Sequence, residues 1–198
     1  MRLVLDWDGT VTERDSLDLV LREFGDPEIY QRVEDELGRR LSLHEVIALE
    51  FETVSAPLPE VAAWLVENVR LRPGFRELAA RRRPLVVSAG FHELIEPILA
   101  REGVAVELMA NRLDASPDGW RAVFRDTAPC PVCGEPCKRA ALPAGEPVVY
   151  AGDGYSDRCA ALAADRVFAV DGLAAYLERC GVPFEPLTDF HDLDARLT

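Results

Sequence analysis

A chain of 198 residues, 48% of them hydrophobic, is long enough for one buried core with a sizeable insertion and too short for two large independent domains. Its formal charge of −13 and pI near 4.7 argue against nucleic acid and anionic membranes as partners, since the long-range field repels both. With no signal-like apolar stretch after Met1 and no apolar run of transmembrane length, the chain reads as cytoplasmic, and its five cysteines as free thiols or metal ligands rather than a disulfide framework.

Leu3-Val4-Leu5 predicts a short buried strand of a parallel sheet, with Asp6 emerging at its carboxyl end, where open α/β sheets bind ligands. Asp6 and Asp8 leave an extended backbone on the same side, and Gly9 allows a sharp turn after them. Two carboxylates held that close require a cation or a shared proton, and Mg²⁺ suits an all-oxygen site. From Glu13 to Arg70 the period becomes helical: Leu17, Val20, Leu21 and Phe24, then Leu43, Val46, Ile47, Phe51 and Val54, then Leu58, Val61, Ala62, Leu65 and Val69. Asp26-Pro27 and the Ser42/Glu45 capping box mark helix starts, and Arg72-Pro73-Gly74 returns the chain to the sheet. The predicted organisation is therefore a core of residues 1–12 and 73–198, with a helical lid over 13–72.

After Gly74, strands are predicted at Pro84–Ser88, Val104–Met109, Val148–Ala151 and Arg166–Val170. Helices are predicted through Leu94–Leu99, Ser156–Ala164, Leu173–Arg179 and Phe190–Leu197. Ser116-Pro117-Asp118-Gly119 predicts a small hairpin between Leu113 and Trp120. Such alternation makes an α/β fold with a Rossmann-like parallel sheet flanked by helices. The Arg81-Arg82-Arg83 run is read as a solubilising surface turn, and His44 as exposed.

Ser88 is expected to end the second strand before Ala89-Gly90, where a hydroxyl and small residues suit a phosphate. Lys138 opens a helix and supplies a cation, while Gly152-Asp153-Gly154-Tyr155-Ser156-Asp157 adds two carboxylates at a strand-to-helix turn. Glu13 begins the helical segment next to the acidic turn and faces either solvent or the substrate. Cys130, Cys133 and Cys137 resemble half of a zinc ribbon, with a fourth ligand to come from Cys159, Cys180 or a remote histidine. Reduced thiols that shape the loop before Lys138, and a Cys130–Cys133 redox pair, are the other readings.

Asp6-x-Asp8-x-Thr10, Ser88, Lys138 and Gly152-Asp153-x-x-x-Asp157 resemble, in order and spacing, the four motifs of the haloacid dehalogenase-like phosphohydrolases. The resemblance implies a Rossmann-like core with a helical cap inserted after the first motif, acting on a small phosphorylated metabolite. It implies Asp6 as the nucleophile that becomes an aspartyl-phosphate, Asp8 as the acid and then the base, and Lys138 as the cation that restrains Asp6. Asp6, the main-chain carbonyl of Asp8 and Asp153 would hold Mg²⁺, with Asp157 behind its waters or Lys138. Ser88, Ala89, Gly90 and Thr10 would meet the substrate. Within that group Asp8-Gly9-Thr10-Val11-Thr12, Arg40–Glu45, Arg72-Pro73-Gly74-Phe75 and the cysteines before Lys138 look like the methionine-salvage 2-hydroxy-3-keto-5-methylthiopentenyl-1-phosphate phosphatases. Phosphoserine phosphatases are the near neighbour and a phosphocholine-type phosphatase a further alternative; a non-catalytic, zinc-organised binding module is the remoter one.

Overall fold

In the computed structural model, which describes residues 1–197, strand β1 (Arg2–Leu5) lies between β2 (Leu85–Phe91) and β5 (Val148–Gly152) and pairs with both in parallel. With β3 (Glu107–Asp114), β4 (Arg121–Val123), β6 (Arg166–Ala169) and β7 (Glu185–Pro186) they form a seven-stranded sheet of order β4-β3-β2-β1-β5-β6-β7. All pairs are parallel except the β3/β4 hairpin, which matches the predicted turn and sets Leu113 opposite Ala122. The strand pleat divides the apolar residues between two layers. Leu3, Leu5 and Val86 join one core cluster, while Val4, Leu85 and Val87 join the other. The topological reversal falls at β1, so the crevice beyond β1 and β5 is where this architecture binds ligands.

The chain between β1 and β2 forms α1 (Ser16–Phe24), α2 (Pro27–Glu34), α3 (Leu43–Phe51), α4 (Leu58–Asn68) and α5 (Phe75–Arg82). Local chemistry sets their ends. Asp15 accepts hydrogen bonds from the Leu17 and Asp18 amides and Asp26 from those of Glu28 and Ile29; Ser42 and Glu45 close a capping box; Pro59 stands in the first turn of α4. The buried faces of these helices are continuous with the sheet's own layer: Val61 and Leu65 of α4 share a cluster with Ile95 and Ile98 of α6 (His92–Glu102). The two connectors to the helical segment also pair with each other. The Glu13 amide donates to the Arg70 carbonyl (3.0 Å), Thr12 bridges Leu71, and the Arg72 amide donates to the Val11 carbonyl (2.8 Å).

Several elements differ from the sequence reading. α5 is additional to the sequence reading; it starts at Phe75, after Gly74 turns the chain with a φ of 84°. Arg81 and Arg82 lie in its last turn and pair with Asp194 of α9 (Phe190–Arg196), so this run docks the carboxyl-terminal helix and is not a solubilising turn. β2 runs through Ser88 to Phe91, with its pairing to β3 interrupted between Val87 and Phe91. β3 starts at Glu107, not at Val104, because the Val104 amide donates to the Leu99 carbonyl in closing α6. After β5 the predicted helix is instead a 3₁₀ turn, Tyr155–Asp157, followed by the short α7 (Arg158–Ala161). α8 (Asp171–Cys180) and α9 agree with expectation, and β7 was missed because two residues carry no periodicity. Among the described residues no helix is long and apolar enough to cross a membrane.

Candidate active site

The turn after β1 fixes the first two carboxylates. Asp8 is extended and Gly9 left-handed at φ 69°, and the Thr12 hydroxyl closes the turn by accepting from the Gly9 amide (3.1 Å) and donating to the Trp7 carbonyl (3.1 Å). Arg72 grips the same turn from the returning connector, donating to the Gly9 (2.7 Å) and Thr10 (2.8 Å) carbonyls. Asp6 and Asp8 are both buried. Lys138, at the start of a 3₁₀ turn (Lys138–Ala141) and 5% exposed, donates through Nζ to Asp6 Oδ1 and to Asp157 Oδ1 (2.7 Å).

Asp157 is completely buried, and each of its oxygens carries two bonds. Oδ1 accepts from Lys138 and the Tyr150 hydroxyl (2.6 Å), and Oδ2 accepts from the Asp153 and Gly154 amides (3.0 Å each). Four lone-pair positions are thus filled, which fits a carboxylate that positions Lys138. Asp8 Oδ1 accepts from the amide (3.0 Å) and the hydroxyl of Ser16 at the start of α1, and Oδ2 from the Ser88 hydroxyl (3.2 Å). The interruption between β2 and β3 leaves Ser88-Ala89-Gly90 free for this: the Gly90 amide donates to Ser88 Oγ (2.8 Å), and Asn111 satisfies the Ala89 carbonyl (2.7 Å).

Four carboxylates surround one lysine, and the charges show it. Burial, reinforced by Asp157, holds Asp6 well above the ordinary carboxylate range, and Lys138 only partly offsets this. Asp8 is also raised by burial, against the bonds from Ser16. Asp153, pushed up to about 6 by burial and by Asp157, reports the same excess of negative charge. Asp157 behaves oppositely: burial opposes its ionisation, but Lys138 and its hydrogen-bond donors hold it below the usual range. Lys138 in turn loses proton affinity to burial and more than regains it from Asp157 and Asp6. The donor set fits a divalent cation, since carboxylate oxygens of Asp6 and Asp153 lie close together beside Asp157, whose own oxygens are taken by donors, and among the described residues Lys138 is the only buried cation.

Gly9 guards this acidic cradle. A Cβ there would run into the Asp153 carboxylate, and the φ itself disfavours any side chain. Gly9→Ala is expected to cost about 1–3 kcal/mol through backbone strain and the clash. It should also weaken binding of a divalent cation at the cradle at least about tenfold, by displacing Asp153. A metal titration alongside a thermal melt checks both, and unchanged values would refute the cradle.

The carboxylates open into a cavity of about 220 Å³ roofed by the helical segment, with Asp15, Asp18, Tyr30, Glu34 and Glu50 in its wall. Glu50 is 4% exposed with Oε1 unpartnered, and burial, with Glu34 beside it, pushes its carboxyl up to about 8. A second cavity of about 370 Å³ shares Leu43, Ala89, Lys138, Tyr155 and Ser156 with the first and adds Arg125 and Arg158.

Asp6, Asp8, Ser88, Lys138, Asp153 and Asp157 therefore meet in one crevice. Thr10 is fully buried and its hydroxyl donates weakly to Asp6 Oδ2 (3.4 Å). Ala89 and Gly90 line the site, whereas Glu13 is exposed and Asp15 takes the place expected of it in the cavity wall. His44 is half-buried, stacked on Phe124 with ring centroids 3.8 Å apart, and not exposed as read from the sequence. Ser16, Arg72, Asn111 and Tyr150 escaped the sequence reading because nothing local distinguishes them from capping, linker or core residues.

The chain matches the family model of the haloacid dehalogenase-like hydrolases over residues 3–162. It is 30% identical over 204 residues to the 2-hydroxy-3-keto-5-methylthiopentenyl-1-phosphate phosphatase of Geobacillus thermodenitrificans, covering 96% of this chain and 92% of the relative. It is likewise 30% identical over 220 residues to the polyol phosphate phosphatase PYP1 of Saccharomyces cerevisiae, covering 97% and 90%. Among solved structures it resembles a phospho-aspartyl intermediate analogue of phosphoserine phosphatase, with a TM-score of 0.67 at 18% identity over 98% of this chain and 97% of that one.

Proposed function

This chain belongs to the haloacid dehalogenase-like hydrolase family and is a phosphatase, and we propose that it hydrolyses the phosphomonoester of a small metabolite through an aspartyl-phosphate on Asp6, with Mg²⁺ as cofactor. One observation supports this most directly: Lys138 binds Asp6 from one side while Asp8, the only other carboxyl of the first turn, keeps Oδ2 beside Ser88. Asp6 attacks phosphorus and the bond to the leaving oxygen breaks, that oxygen taking a proton from Asp8, whose proton affinity burial raises. Ionised Asp8 then takes a proton from the water that cleaves the aspartyl-phosphate, which restores both residues. Lys138 neutralises Asp6 as the anionic phosphate approaches, Asp157 and Tyr150 hold Lys138 in place, and Ser88 with the Gly90 amide receives phosphoryl oxygens. Asp6, the main-chain carbonyl of Asp8 and Asp153 are the residues that would hold Mg²⁺, and the ion supplies charge screening for a carboxylate attacking an anion.

Residues 13–72 act in this reading as the cap, excluding water while Asp6 is phosphorylated. The relatives favour a substrate of the methionine-salvage type, 2-hydroxy-3-keto-5-methylthiopentenyl-1-phosphate. The acidic wall favours a second reading. The unpartnered Glu50 oxygen, with Glu34 beside it, calls for a hydrogen-bond donor or a positive charge on the leaving group, a hydroxyl or the ammonium of phosphoserine, or the quaternary ammonium of phosphocholine. Phosphate release measured with Mg²⁺ across the methionine-salvage intermediate, a polyol phosphate, phosphoserine and phosphocholine separates these readings by kcat/KM. Excess Ca²⁺ is expected to inhibit, because its larger coordination sphere misplaces the attacking oxygen. Release from no phosphomonoester would refute the reaction itself.

A further inference from the structure

Four thiols from two distant stretches meet next to Lys138. Cys130 and Cys133 bracket a tight turn in which the Gly134 amide donates to the Cys130 carbonyl (2.9 Å) and the Cys130 amide to the Glu135 carbonyl (3.0 Å). Gly134 adopts a φ of 81°, and the Val132 amide points at Cys130 Sγ (3.4 Å), a donor that favours the thiolate. Cys137 immediately precedes Lys138, and Cys159 arrives from α7. The four sulfurs lie within 4.8 Å of one another, and Cys130 and Cys159 are 3.8 Å apart.

That spacing is too long for a disulfide, and all the cysteines are free. It matches a coordination tetrahedron instead, since bonds of about 2.3 Å to a central ion set the sulfurs about 3.8 Å apart. Apolar packing does not explain the cluster: Cys133 is exposed, and Cys130 and Cys137 are only half-buried. The surrounding backbone needs a staple as well. Between β4 and β5 the only regular element among the described residues is the 3₁₀ turn at Lys138–Ala141, yet this stretch must deliver Lys138 to the centre of the crevice.

We propose that Cys130, Cys133, Cys137 and Cys159 bind one zinc ion as a closed structural site that ties the loop carrying Lys138 to the helix following Asp157. Four protein sulfurs leave no open position, so the ion takes no part in the reaction; it binds thiolates, and the thiol protons leave to solvent. Of the fourth ligands that the sequence leaves open, Cys159, Cys180 or a remote histidine, the fold brings Cys159 to the other three, because the chain after β5 turns back beside the cysteine loop. Cys180, exposed on α8, lies outside the cluster.

The full-length protein, purified reduced and without a histidine tag, is expected to carry one zinc per chain, with X-ray absorption showing four sulfur neighbours at about 2.3 Å. Cys180→Ser should keep that zinc and Cys133→Ser should lose it. Because the second variant risks misfolding, the wild-type protein provides the complementary test: a mercurial titrating its thiols should release one zinc, followed by a chromogenic chelator, with a fall in melting temperature. Zinc-free folded protein with all thiols reactive, iron in place of zinc, an oxygen- or nitrogen-dominated shell, or a Cys130–Cys159 disulfide in the reduced preparation would each overturn the assignment. So would full zinc retention by Cys133→Ser.

Discussion

Asp6→Asn is expected to lower kcat by on the order of 10⁴-fold or more, since removing a nucleophile abolishes the covalent route and leaves only binding and charge stabilisation. The fold should survive. The amide is isosteric with the carboxylate, and Lys138 keeps Asp157 at 2.7 Å. Stability should hold or rise: burial and three neighbouring carboxylates raise the Asp6 proton affinity, and a buried group with a raised value weakens the folded state as pH climbs through it. At pH 7 to 8 without metal the variant should therefore melt at or above the wild-type temperature. Phosphate release and a thermal melt on the same preparation check the pair of claims, and normal turnover would end the nucleophile assignment.

Lys138→Met should damage both activity and fold. Removing one partner from a buried ion pair typically costs about 3–5 kcal/mol, because the stranded charges have no water to turn to. Here two carboxylates, Asp6 and Asp157, lose the same partner. The pH dependence distinguishes this from a packing defect. In the wild type Asp157 titrates below its ordinary value of 3.8, so its contribution to stability is full above that value and is lost as pH falls through the lower folded one. The variant lacks that contribution, so its deficit should be full at neutral pH and should shrink as pH drops below about 4. Activity should fall on the order of 10³-fold, as for loss of a charge-stabilising donor. A deficit that stays constant with pH would show that Lys138 acts through its hydrocarbon stem alone.

Much of this site was legible in the chain itself because the chemistry demands particular residue types beside strand ends. Asp6, Asp8 and Asp153 follow apolar runs, and Lys138 supplies the cation that a phosphate beside them requires. What stayed hidden depends on contacts between distant stretches. Tyr150 looks like an ordinary core aromatic of β5 until its hydroxyl meets Asp157; Ser16 looks like the start of a helix until it meets Asp8. Arg72 reads as part of a linker, yet it clamps two carbonyls of the catalytic turn. The strand errors have a similar origin: β2 passes through Ser88 because pairing can lapse and resume at Phe91, which periodicity alone does not encode. Cys159 carries no ribbon-like spacing, so only the fold joins it to the other three.

Ser16 opens the first helix of the segment that roofs the cavity, and both of its donors rest on Asp8 Oδ1. The strength of this acid is thereby tied to the position of that helix. A displacement that lengthens the two bonds removes stabilisation from the ionised carboxyl and tightens its hold on the proton. On the proposed mechanism linkage would make the relation reciprocal: with its proton given to the departing alcohol, Asp8 would strengthen both bonds and favour the position of α1 that makes them. The phosphorylated enzyme would then stay shut until water, by returning a proton to Asp8, loosens the same bonds, so that release waits on hydrolysis without a separate timing device.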